Sequence, residues 1–119
     1  MTTSITPKRG EIWVINLAPT LGDEITKVRP AVVISSDAVG ILRVKLIAPI
    51  TSWNGSFLGK LWLVPIHPTR TNGLTGESVV DVLQIRGVAI ERFKEKLGQV
   101  SAAQLEEISA AIAIVVEYQ

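Results

Sequence analysis

The feature that most constrains this chain is a change of period. Up to residue 90 it consists of short, β-branched apolar runs broken by Pro and Gly; after Ser101 the apolar residues recur at helical spacing. EIWVINL (11–17), PAVVISS (30–36), RVKLIAPI (43–50), KLWLVPI (60–66) and ESVVDVLQIRGVAI (77–90) read as strands, the last possibly broken near Gly87. APTLGDEITK (18–27) and TSWNGSFLG (51–59) are the main loops. Pro30 has no N–H for a ladder, so it belongs at a strand start or on an edge. The final segment opens with Ser101 and Gln104 in capping-box spacing, and Leu105, Ile108, Ile112 and Val115 form one stripe. The pattern predicts a mainly β chain: a small antiparallel barrel or strongly curved sheet, with a C-terminal amphipathic helix of about four turns lying on it. At 119 residues the expectation is a single domain, 1–119.

Hydrophobic residues make up 47% of the chain and mean hydropathy is +0.36, high for so small a soluble domain. A surface buried against a second copy or another partner would account for the excess. No apolar run reaches the roughly 18 residues of a membrane helix, and MTTSITPKRG lacks the apolar core of a signal peptide. A cytoplasmic protein without a membrane partner is expected. Net charge is only +1, but Glu106, Glu107 and Glu117 stand in a tail segment with no Lys or Arg. The remaining body is mildly basic, which permits a nucleic-acid ligand without requiring one.

The absence of cysteine removes thiol nucleophiles and disulfides. His67 is the single histidine, with no second His or Cys to join it in a metal site, and reads as a loop residue. Asp23 and Glu24 could supply a base from a loop, or could simply be solvated. No phosphate-cradling glycine motif and no serine-hydrolase elbow is present. What remains is a set of polar residues interrupting apolar segments: Arg29, Thr51, Ser52, Gln84 and Arg86, all able to project from one rim of a small barrel. Two guanidiniums and two hydroxyls suit a phosphodiester. Each could equally do no more than satisfy a strand terminus. In KVRPAVVISS, Pro30 and the strand behind it would hold Arg29 still.

RGEIWVINLAPTLGDEITKVRPAVVISSDA, then PITS, VVDVLQIRGV, KLGQVS and LEEI, occur in order. Together they resemble the MazF/PemK family of toxin endoribonucleases over roughly residues 8–117. The resemblance implies an SH3-like antiparallel barrel with a C-terminal helix, the toxin fold shared by MazF, CcdB and Kid, working as a homodimer. It also implies metal-independent, sequence-specific cleavage of single-stranded RNA, with no cofactor and no metal. The 2′-hydroxyl would attack the adjacent phosphate to leave a 2′,3′-cyclic phosphate and a 5′-hydroxyl. A MazE-like antitoxin would block the site with a segment that folds on binding.

By the same resemblance Arg29, Thr51 and Glu24 are the catalytic set. Ser52, Gln84 and Arg86 match positions lining the RNA groove, and Lys27, Trp53 and Asn54 complete the expected RNA-binding set. Trp53 could stack on an unpaired base or pack on its own barrel. The resemblance breaks at Leu83, where many relatives carry an acid, with Asp81 two residues earlier, and at Gly87, where threonine is common. Two alternatives follow: a MazF-like binding module weak or inactive in turnover, and a CcdB-like topoisomerase poison. The second sits poorly with an ending of VEYQ in place of Trp-Gly-Ile.

Overall fold

A computed structural model describes residues 5–19, 21–25, 27–39 and 43–118. The strands are β1 (Glu11–Asn16), β2 (Val28–Val33), β3 (Val44–Ser52), β4 (Leu63–Ile66), β5 (Ser78–Asp81), β6 (Arg86–Ala89) and β7 (Phe93–Gln99), followed by α1 (Ala102–Val115). Among the described residues all strand pairs are antiparallel, in the order β4-β5-β3-β2-β1-β7 with β6 also on β3. β3 is the shared element. Its first half pairs with β2 and β6, and its last three residues leave to pair with β5.

Alternation along β2 and β3 builds two cores on opposite faces of the sheet. Ile12, Val32, Ala48, Ile50, Val80 and Val82 face α1, which contributes Ile108 and Ala111. Trp13, Ile15, Leu17, Ala31, Val33, Ile47, Val88 and Phe93 fill the other. Because β3 lies between them it is nearly continuously apolar from Ile47 to Ile50, as a strand covered on both faces should be.

The helix begins and ends on local chemistry. Ser101 Oγ accepts the Gln104 N–H at 3.0 Å, so the predicted cap forms. The Gln104 side chain, however, donates to Pro65 O rather than closing the box. At the other end Glu117 has φ 56, with Tyr118 N–H donating to Ala113 O and Glu117 N–H to Ile114 O. That is a Schellman end with a glutamate where glycine is usual.

Three sequence expectations change. The run 77–90 is two strands, broken not at Gly87 but by a 3₁₀ turn at Val82–Gln84, where Asp81 Oδ1 accepts the Leu83 N–H at 3.0 Å. Gly87 lies inside β6, and a Cβ there would come 3.2 Å from Val44 Cγ1. β7 was not expected at all. Its central residues Lys94, Glu95 and Lys96 are exposed, so it lacks an apolar signal. β2 begins at Val28, which places Arg29 and Pro30 inside it; pairing to β3 starts only at Ala31, so the proline stands where β2 has β1 alone beside it.

Candidate functional site

Strand register places the first group of residues. β2 and β3 pair Val33↔Ile47, Val32↔Ala48 and Ala31↔Pro49. Continued two steps past the last pair the register would set Arg29 opposite Thr51, although β3 has by then turned to pair Thr51 with Val79 of β5. Arg29 and Thr51 have the parity of Ala31, Val33 and Ile47, so both belong to the second core's side, and both are half-buried. Arg86 pairs with Ile47 from β6 and shares that face. Its Nη1 donates to Leu17 O at 3.1 Å, and Leu17 N–H in turn donates to Lys27 O at 2.9 Å, two residues before Arg29. The fork in the sheet, where β3 abandons β2 for β5, therefore gathers a guanidinium, a hydroxyl and a second arginine at one end of the second core.

The loop before β2 closes over this end. Glu24 Oε1 accepts the Leu21 N–H at 2.6 Å and Glu24 N–H donates to Leu21 O, a small self-contained turn with an exposed carboxylate. Gln84 spans to the same loop: its Oε1 accepts from Ile25 N–H and its Nε2 donates to Asp23 O, each at 3.1 Å. Lys27 is exposed, with φ 73.

Ser52, Trp53 and Asn54 are arranged differently. By alternation Ser52 lies on the opposite face of β3 from Thr51, so the predicted polar set does not share one rim. Trp53 N–H donates to Glu77 O, and its ring, 40% exposed, meets Phe57 edge-on at 6.4 Å. It lines an apolar groove of about 430 Å³ with Leu58, Leu61, Leu63, Ala110 and Ile114. Asn54 Oδ1 accepts the Ser56 N–H and caps a 3₁₀ turn. His67 sits in a loop, its Nδ1 against Glu77 Oε2.

Leu83 is 58% exposed on the turn that carries Gln84. The nearest carboxyl in the chain, Asp81, is tied to that turn. Burial pushes it above the ordinary aspartate range, against hydrogen bonds from the Leu83 and Gln84 N–H groups that lower it. Among the described residues, no group of three or more His, Asp or Glu is arranged to hold a metal ion, and no helix is long and apolar enough to cross a membrane.

Sequence reading overlooked Arg92. It lies in the 3₁₀ turn before β7, half-buried between Ile90 and Phe93, and its Nη1 donates to Asn16 O at 3.0 Å and Ala18 O at 2.6 Å. A charge beside two buried apolar residues was the available signal.

Comparison with known proteins adds a lineage. Residues 8–116 match the family described as PemK-like, MazF-like toxin of type II toxin-antitoxin system. Endoribonuclease MazF9 of Mycobacterium tuberculosis is 33% identical over 112 residues, covering 88% of this chain and 92% of that protein. The crystal structure of MazF from Deinococcus radiodurans superposes with a TM-score of 0.79 at 26% identity, over 96% of this chain and 99% of that one. A mycobacterial endoribonuclease in complex with its cognate antitoxin has the same fold, with a TM-score of 0.75 at 19% identity over 95% and 97% of the two chains.

Proposed function

The chain belongs to the PemK-like, MazF-like toxins of type II toxin–antitoxin systems, and on that premise we propose that it is a cytoplasmic, homodimeric endoribonuclease. It cuts single-stranded RNA at a short sequence, without a metal ion, and is silenced by a MazE-like antitoxin. The endoribonuclease name of its mycobacterial relative supports the activity, and the antitoxin-bound mycobacterial structure supports the partner. The apolar groove beside α1 and the exposed Leu58, Leu61 and Ile114 fit a chain that buries more surface when assembled.

What supports the chemistry is strand register: continued past its last pair, Ala31↔Pro49, it would set Arg29 opposite Thr51 on the second core's side, where both are half-buried. In the proposed reaction the ribose 2′-oxygen bonds to the adjacent phosphorus as its proton leaves, and the P–O5′ bond breaks as the departing 5′-oxygen takes a proton from solvent water. The products are a 2′,3′-cyclic phosphate and a 5′-hydroxyl. Negative charge builds on the non-bridging oxygens as the phosphorus becomes five-coordinate. A guanidinium held by a strand and a hydroxyl facing the same point meet that charge with little reorganisation. A guanidinium offers N–H donors and no acceptor, so the role proposed for Arg29 is to donate to the phosphate. Glu24, a carboxylate on the loop over the site, is the group suited to accept the 2′ proton.

The test uses parent and Arg29→Ala protein on long mixed-sequence RNA in EDTA, with both new ends mapped. Cleavage by the parent alone, at a recurring short word with cyclic-phosphate ends, is expected. Equal cleavage by folded Arg29→Ala protein would remove Arg29 from the reaction. A parent that cuts no RNA would leave the second reading, an antitoxin-binding module without turnover, which the exposed Leu83 in place of an acid favours.

A further inference from the structure

We infer that Arg92 is a positioning residue for RNA cleavage: with Arg86 and Gln84 it fixes the loop that carries Glu24, and does so through main-chain atoms alone. The inference rests on the ribonuclease reading and deepens it. Three side chains from the short segment 84–92 reach across the molecule to the loop after β1. Arg92 takes the carbonyls of Asn16 and Ala18, Arg86 takes that of Leu17 between them, and Gln84 holds Asp23 O and Ile25 N–H at the far end. Between these two anchor points Leu21, Gly22, Asp23 and Glu24 are exposed, and among the described residues the Glu24–Leu21 turn adds support within the loop.

The chemistry of the anchors matters. Successive carbonyls at Asn16, Leu17 and Ala18 leave the strand pairing of β1, which ends at Asn16, and need donors. Two guanidiniums supply them with charge-assisted hydrogen bonds, and the planar fork of Arg92 places one nitrogen between two carbonyls. Because each contact lands on backbone, loop side chains can differ without loosening the anchors. The loop's path is set by 84–92 and its surface by its own residues. Arg92 therefore governs where Glu24 stands relative to Arg29 and Thr51, although it does not itself touch the reacting atoms.

The experiment takes full-length parent, Arg92→Ala and Arg92→Lys. It measures cleaved words on mixed RNA, kcat and KM on an oligonucleotide bearing the parent's preferred word, and amide exchange across 17–25 and across α1. Folded Arg92→Ala should lose about ten- to a hundredfold in kcat with a smaller change in KM, the range expected when a reacting group is misplaced by about 1 Å. Its cleaved words should broaden, and exchange at 17–25 should quicken while α1 stays protected. Arg92→Lys keeps the charge and loses the fork, and should recover part of kcat. If Arg92→Ala does not fold, Arg92→Lys is read against the parent in the same assays. A folded variant with the parent's kcat and words, or unchanged exchange at 17–25, overturns the inference alone. A parent that cuts no RNA overturns the ribonuclease reading and this inference with it.

Discussion

Replacing Asp81 by asparagine should leave the protein as stable as the parent or more so at neutral pH, whereas alanine should destabilise it. Asp81 Oδ1 accepts the Leu83 N–H at 3.0 Å and starts the turn that presents Gln84. The acceptor is useful, but the charge is not, because burial raises the carboxyl above its ordinary value in spite of the hydrogen bonds from Leu83 and Gln84. A raised carboxyl binds its proton more tightly folded than unfolded. Its contribution is therefore most favourable below the unfolded value near about 4 and declines as pH rises through the folded value. Asparagine retains a carbonyl oxygen for the Leu83 N–H and has nothing to ionise.

Loss of the cap in Asp81→Ala should cost about 1 kcal/mol. For a chain of this size, with an unfolding entropy of about 2.1 cal/mol/K per residue, that lowers Tm by about 4 °C. Melts of parent, Asp81→Asn and Asp81→Ala at one fixed concentration, from pH 3.5 to 7.5, read both effects, since assembly makes Tm concentration-dependent. The Asp81→Asn advantage should grow with pH and then level off. An advantage that shrinks with rising pH, or an asparagine variant as unstable as alanine, would refute the account of Asp81 as a cap carrying an unhelpful charge.

Other substitutions test other parts of the fold. Ile108→Ala empties the fully buried centre of the helix–sheet core and should cost about 2–5 kcal/mol by denaturant titration; a loss below about 1 kcal/mol would mean the core closes over the gap. Gly98→Ala drives a Cβ into Thr71 O, a backbone atom that cannot step aside, and should lower stability by about 1–3 kcal/mol in the same titration. Trp53→Ala should weaken RNA binding by about 1–3 kcal/mol in a filter or anisotropy assay if the ring stacks on a base; unchanged affinity and word preference would confine Trp53 to its contact with Phe57.

How much of this was legible in the sequence depends on where each residue's partner lies. Strands buried on a face and the capped helix announce themselves locally, because their signal is the spacing of their own apolar residues. β7 did not, since its partner β1 is distant in sequence and its central side chains Lys94, Glu95 and Lys96 are charged and exposed, which leaves Phe93 as its one buried side chain. The polar set shows the same limit. Arg86 and Gln84 were read as ligand-facing because polar residues among apolar ones need a partner, and a missing partner suggests a substrate. In the folded chain each has main-chain partners 59 to 69 residues away, which no local pattern could reveal. The two roles are compatible for both side chains, with more capacity to spare on the arginine. The bond from Arg86 to Leu17 O engages one nitrogen of a group with five N–H donors. Gln84 uses both ends of its amide on the loop. An RNA contact by Gln84 would fall to its second N–H or second lone pair, beside the loop it holds, whereas Arg86 keeps its other N–H donors for one. Substituting each separately, and comparing RNA affinity with exchange at 17–25, would separate a residue that shapes the groove from one that lines it.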